Sequence, residues 1–144
     1  MKIGLGSSEK GHYLMERIKE YLQKEKYEIV DYTDKENDIF SISENISEAV
    51  INGHIEKGIV IDDYGTVPFM VCSKHTKIVC AQAADEHSAK MTRDHNNTSI
   101  ITIGYEIRGE NLANNLCAVF VKWDYSGGRH QVRVDMLNKM WYLQ

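Results

Sequence analysis

Five short apolar runs, each separated from the next by a stretch of helical spacing, constrain this chain more than any other feature. Residues 2–5, 27–32, 59–61, 78–81 and 100–103 are too short for helices, and most are rich in isoleucine and valine. Between them, residues 12–24 place Leu14, Ile18, Tyr21 and Leu22 on one helical face, and Ile42, Ile46, Ala49 and Val50 mark a second helix. Helical patterns also occupy residues 69–74 and 86–93. Residues 112–123 turn Leu116, Phe120 and Val121 inward, "SGG" breaks that helix, and residues 130–143 form a last one. Strand–helix alternation of this kind predicts an α/β fold, a parallel sheet with helices on both faces joined by right-handed crossovers. No internal repeat, linker or low-complexity segment interrupts it, so residues 1–144 are expected to form a single domain.

Composition narrows the functions. A chain of 144 residues can bury a real core. Its formal net charge of -4 leaves no basic excess to neutralise phosphates, which argues against a nucleic-acid partner. No run of about 18 apolar residues is present to span a membrane, and "MKIGLGSSEKG" lacks the features of a signal peptide. Cys72, Cys80 and Cys117 show neither paired number nor C-x-x-C spacing, so no disulfide framework or metal site is expected. A soluble cytoplasmic protein is the resulting expectation.

The stretch "GIVIDDYGTVPF" runs a buried strand into a loop with adjacent carboxylates Asp62 and Asp63, then Gly65 and the chain's only proline, Pro68. Ligands of open α/β sheets bind beyond the carboxyl ends of the strands. Asp62 is therefore a candidate base, or the loop has lost its chemistry. "GLGSSEKGH" after the first strand invites a phosphate-loop assignment and fails it. Glu9 occupies the third glycine of G-x-G-x-x-G, and His12-Tyr13 stands where a P-loop needs Lys-Ser/Thr. A plain strand-to-helix turn, with glycine for backbone freedom, accounts for it.

Two further clusters carry chemistry. "TRDHNNTSIITIG" sets Arg93, His95, Asn96 and Asn97 before the fifth strand. One group there titrates near neutral pH beside amides that bond hydroxyls, although a helix C-terminus also welcomes these residues. In "YSGGRHQVRVDML", Arg129 and Arg133 have i, i+4 spacing. On one helix face near its N-terminus they would clamp a phosphate. A pair of solvated surface arginines is the plainer alternative.

Together these segments resemble the family that comprises the type B ribose-5-phosphate isomerases and the galactose-6-phosphate isomerase subunits. "ADEHSAKMTRDHNNTSIITIGYEIRGENLA" and "YSGGRHQVRVDMLNKM" look most like its A-subunit branch. The resemblance implies a three-layer α/β/α, Rossmann-like sandwich around a five-stranded parallel sheet, and a dimer-based assembly with active sites between subunits. It implies aldose–ketose isomerisation of a sugar phosphate through an enediol(ate), with no metal and no cofactor. In that family the histidine of "HN", here His95, assists ring opening. The following Asn96 contacts substrate, and the arginines of "GGRHxxR", here Arg129 and Arg133, hold the phosphate.

The departures are as informative. The ribose enzymes carry "CGTGVG" after the third strand, where a cysteine moves the proton and glycine amides stabilise the enediolate. Here Asp62 stands at the cysteine, Tyr64 at the threonine, and Asp63 and Val67 at two glycines. Ser8 and Glu9, candidate substrate contacts, replace an Asp-His pair, and Glu106 replaces an arginine. The A-subunit branch shares the Asp and lacks the cysteine. Chemically, Asp63 and Val67 restrict the backbone, Pro68 removes an N–H, and two carboxylates would face an anion.

The resulting expectation is complementation. This chain contributes histidine and clamp, and a cysteine-bearing B-type partner contributes proton transfer. The substrate pair is D-galactose 6-phosphate and D-tagatose 6-phosphate. Alone, the chain would form a homo-dimer or homo-tetramer. The alternatives are a homomeric enzyme acting on ribose 5-phosphate or another sugar phosphate with Asp62 as base, and a non-catalytic sugar-phosphate-binding homologue.

Overall fold

The computed structural model describes residues 1–36, 38–107 and 109–140. Its five strands are β1 (Lys2–Ser7), β2 (Glu28–Asp31), β3 (Lys57–Asp62), β4 (Cys80–Gln82) and β5 (Ile100–Gly104). They form one parallel sheet in the order β2-β1-β3-β5-β4. Helices α1 (His12–Lys24), α2 (Ile39–Ile51), α3 (Thr66–Cys72) and α4 (Glu86–Asn96) connect successive strands, and α5 (Glu110–Lys122) and α6 (Gln131–Lys139) come after the last.

Strand order dictates the layers. The crossovers β1-α1-β2 and β4-α4-β5 move one way along the sheet, whereas β2-α2-β3 and β3-α3-β4 move the other. Right-handed crossovers then put α1 and α4 on one face and α2 and α3 on the opposite face. The core divides accordingly. Ile3, Leu5, Ile59, Ile61, Ile101 and Ile103 pack with residues of α1 and α5. Val60 and Ile100 pack with Ile42, Ile46 and Cys72 on the other side. Period-2 alternation within each strand feeds both layers. The expected sandwich is what the chain forms.

The "GLG" glycines have a different job from the one their position suggested. Gly4 and Gly6 lie inside β1, not in the turn after it. A Cβ on Gly6 would collide with Ile42, and one on Gly58 of β3 with Ile46. These positions are empty so that α2 can press directly on the sheet. Asp38 caps α2 by accepting the Phe40 N–H at 3.1 Å, and Asp85 caps α4 by accepting the Ser88 N–H at 2.8 Å, each worth about 0.5–2 kcal/mol.

Boundaries moved where turn geometry intervened. Helix α4 runs through His95 and Asn96, one turn beyond the apolar periodicity. Strand β4 begins at Cys80 because Lys77, with φ of 70°, and the Ile78 N–H to His75 carbonyl bond still belong to the turn leaving α3. The final helix starts at Gln131, and its expected continuation through Trp141 and Tyr142 lies outside the described residues. Among the described residues, no helix is long and apolar enough to cross a membrane.

Candidate active site

The carboxyl edge of the sheet carries Ser8, Glu9 and the loop from Asp62 to Gly65. β3 ends at Asp62, which pairs with Gly104 of β5. Asp62 is only 8% exposed, and its Oδ1 accepts the Gly65 N–H, folding the carboxylate back on its own loop. Burial pushes this carboxyl above its ordinary pKa, opposed by the loop N–H groups and reinforced by the charge of Asp63. The loop is then fastened to β5 and β4. Thr102 Oγ1 donates to the Gly65 carbonyl at 2.6 Å, Gln82 Nε2 to the Tyr64 carbonyl at 2.6 Å, and the Glu106 N–H to the Asp63 carbonyl at 3.1 Å.

Gly65 adopts a left-handed φ of 77°, and a Cβ on Gly104 would lie 2.6 Å from the Tyr64 backbone, so loop and strand lie in direct contact. Both carboxylates were expected to face a reacting anion. Asp62 instead turns inward, and Asp63 is held by Lys10 at 3.7 Å. Ser8 closes the turn into α1, its N–H donating to the Ile61 carbonyl at 2.9 Å and its Oγ accepting the Gly11 N–H at 3.3 Å. Glu9 is exposed on the same edge.

The opposite, amino edge holds the second cluster. Asn97 ends α4 in the left-handed region at φ 54°, a conformation asparagine tolerates. Arg93 fixes this end by donating from Nη1 to Asn97 Oδ1 at 2.7 Å and to the Thr98 carbonyl at 2.9 Å. The last turn thus presents His95 and Asn96, both half-buried. The His95 ring stacks on His130, with centroids 4.2 Å apart and planes inclined by 16°. Arg133 Nη2 lies 3.3 Å from His130 Nδ1.

Arg129 and Arg133 do not share one helix as their spacing predicts. Gly127 and Gly128 have φ of 64° and 58°, Arg129 sits in a 3-10 turn, and α6 begins two residues later. Both arginines flank His130 nonetheless. Its pKa is held below the ordinary value by desolvation first, then by the neighbouring positive groups. Ser126 completes the cluster, donating from its N–H and its Oγ to the Asp94 carbonyl, each at 3.1 Å.

The two clusters sit at opposite ends of β5. Four residue steps of roughly 3.3 Å, about 13 Å, separate Ile100 at one end from Gly104 at the other. That separation keeps His95 and Asp62 from meeting within one chain. A cavity of about 590 Å³ between α3, β4 and α6, lined by Phe69, Met70, Ile78 and Leu137 among others, contains no candidate site residue. The His130 stack and the Ser126 tie escaped the sequence because they are tertiary contacts. The only local signal was that His130 lies inside the same "GRH" run as the clamp.

The match to the ribose/galactose isomerase family model covers residues 3–137. The chain belongs to that family. Among its relatives, the galactose-6-phosphate isomerase subunit LacA 1 of Streptococcus pyogenes serotype M3 is 49% identical over 97% of this chain and 99% of that protein. The LacA subunit of Clostridium acetobutylicum is 42% identical with the same coverage. Ribose-5-phosphate isomerase B of Clostridium thermocellum superposes with a TM-score of 0.94 at 31% identity, covering 99% of both chains. Both family branches thus match along essentially the whole length.

Proposed function

We propose that this chain is one subunit of a sugar-phosphate aldose–ketose isomerase, interconverting D-galactose 6-phosphate and D-tagatose 6-phosphate, and that its active site is completed by a second, cysteine-bearing chain. The observation that carries this reading is the separation of the two clusters along β5. A histidine and paired arginines stand open at one edge, and a closed, carboxylate-bearing loop stands at the other. The naming of the LacA relatives as galactose-6-phosphate isomerase subunits supports the choice of substrate.

In this reading Arg129 and Arg133 anchor the phosphate dianion, a contact remote from the reacting carbons whose binding energy orients the sugar. Asn96 bonds a hydroxyl. His95 moves the proton that opens the ring, and its stack on His130 holds the imidazole in place. The partner's thiolate then takes a proton from the carbon beside the carbonyl and returns one to the neighbouring carbon, through the enediolate. Asp62 has one observation in favour of a catalytic role, its raised pKa, but its oxygen is already engaged with Gly65.

The test is isomerisation of galactose 6-phosphate by the purified chain, alone and mixed with a cysteine-bearing homologue. Activity confined to the mixture is expected. Comparable activity from the chain alone would replace the split site with a homomeric enzyme. Phosphate binding without turnover in either arm would leave a non-catalytic binding protein.

A further inference from the structure

Lys57 opens β3 and is 3% exposed, yet it makes no salt bridge among the described residues. Its ammonium donates instead to three carbonyls at the end of α5: Phe120 at 3.1 Å, Val121 at 2.6 Å and Trp123 at 2.9 Å. Its Nζ also lies over the Phe120 ring, 5.6 Å from the centroid. The terminal carbonyls of a helix have no intrahelical donor and carry partial negative charge. One side chain thus caps two of the last carbonyls of α5 and that of Trp123, the residue that follows the helix.

Burying a charge without a counter-ion is destabilising, and an apolar residue would fill the core without that penalty. Desolvation accordingly drives this lysine down to about 8, with Arg93 opposing its charge and Asp124 and Glu56 favouring it. The carbonyls it holds also set where the chain leaves α5, a role beyond ending one helix.

The segment leaving the capped end supplies that role. From Trp123 the chain reaches Ser126 in three residues. There it is pinned to the Asp94 carbonyl, one residue before His95. It then turns through Gly127 and Gly128 into Arg129 and His130, whose ring lies on His95. Both ends of this connector are therefore fixed by hydrogen bonds to other elements. We infer that Lys57 is a positioning residue for the amino-edge cluster, its ammonium setting the point from which the clamp connector departs. Lys57 itself touches no substrate. It acts through the register of the connector and hence through the placing of Arg129, His130 and Arg133 against His95. The inference rests on the proposed function only for its kinetic readout.

The experiment replaces Lys57→Met and, as the conservative rescue, Lys57→Arg, in the full chain. Two readouts are taken, with the thermal midpoint followed in parallel. The first is the ring proton and carbon NMR signals of His95 and His130, which report the stack through ring-current shifts and need no isomerase activity. In Lys57→Met both sets of signals should move toward solvated-histidine values, and Lys57→Arg should restore them. The second is kinetics with galactose 6-phosphate, in the mixture with the cysteine-bearing chain. KM should rise about tenfold in Lys57→Met while kcat stays within about twofold, and Lys57→Arg should bring KM back to within about threefold of the parent.

Unchanged histidine signals in a folded Lys57→Met chain would overturn the inference, leaving only a helix cap. A parallel loss of kcat and thermal midpoint with KM constant would do the same. If Lys57→Met does not fold, Ser126→Pro removes both donors to Asp94 at the surface and should produce the same signal shifts. Their absence there overturns the inference too. A parent mixture without isomerase activity would refute the proposed function, with the NMR arm still deciding the role of Lys57.

Discussion

The two edges of the sheet solve opposite problems with the same scaffold. At the carboxyl edge, the Asp62 carboxylate and the Tyr64 and Gly65 carbonyls are satisfied within the chain, and the loop lies on β5 with no room for a methyl group. At the amino edge, hydrogen bonds fix the backbone while leaving functional groups open. Arg93 and Ser126 pin the ends, and Arg129, Arg133 and half of His95 face solvent. A site needs the second arrangement, because a catalytic group must be oriented without being consumed by its own neighbours. A loop arranged in the first way has its polar groups already committed within the chain. The contrast is what the proposed split of the chemistry between two chains predicts for a chain that retains the family's fold.

The strongest way to break this comparison is to exchange the importance of the two edges. His95→Asn keeps a hydrogen-bonding side chain and removes the titrating ring. In the two-chain mixture it should lower kcat by about 10²–10⁴-fold, the usual contribution of a placed acid or base. Steady-state kinetics with galactose 6-phosphate check it. A loss below about threefold would move the chemistry away from the amino edge. It would reopen the carboxyl edge as the catalytic one.

Legibility divided along the same line. The helical face of α1 and the apolar strands were readable because periodicity reports burial directly: Leu14, Ile18 and Leu22 are buried, and Ile59 to Ile61 are fully so. The residues of the amino-edge cluster were visible as motifs. Their arrangement was not. The i, i+4 spacing of Arg129 and Arg133 implied one helix, but two successive left-handed glycines delay its start until Gln131. Gly4 and Gly6 looked like a turn because spacing does not reveal which helix will press on a strand. Lys57 was invisible, since a single lysine before an apolar run ordinarily reads as a solvated strand end. Only the tertiary approach of α5 buries it.

The carboxyl edge is sharpened by filling its contact. Gly104→Ala places a methyl against the Tyr64 backbone, a neighbour that cannot rotate away. A stability loss of about 1–3 kcal/mol is expected from such overpacking, read as a drop in the urea midpoint. The histidine NMR signals at the other edge, about 13 Å away by strand rise, should stay unchanged. A variant as stable as the parent would show a loop free to lift off β5, hence one able to open toward a substrate.

The smallest effect is the most discriminating, because it concerns the residue on which the two accounts of the site disagree. Burial raises the Asp62 carboxyl above its ordinary 3.8 in the folded chain. The native state then holds a proton over a pH range in which the unfolded chain has lost it. The corresponding stability is complete below 3.8 and is lost as pH rises through the folded value. Asp62→Asn keeps an oxygen to accept the Gly65 N–H and never ionises. It should abolish this acid-range decline, leave the chain at least as stable as the parent at pH 7, and change kcat of the mixture by less than about threefold. Urea titrations from pH 3 to 7, paired with the same kinetic assay, measure both. A base engaged in proton transfer would instead give the opposite pairing, a gain in stability accompanied by a loss of activity. Such pairing would mean that the strain of a buried carboxylate is kept for catalysis; its absence would mean that Asp62 is a residue of the loop and nothing more.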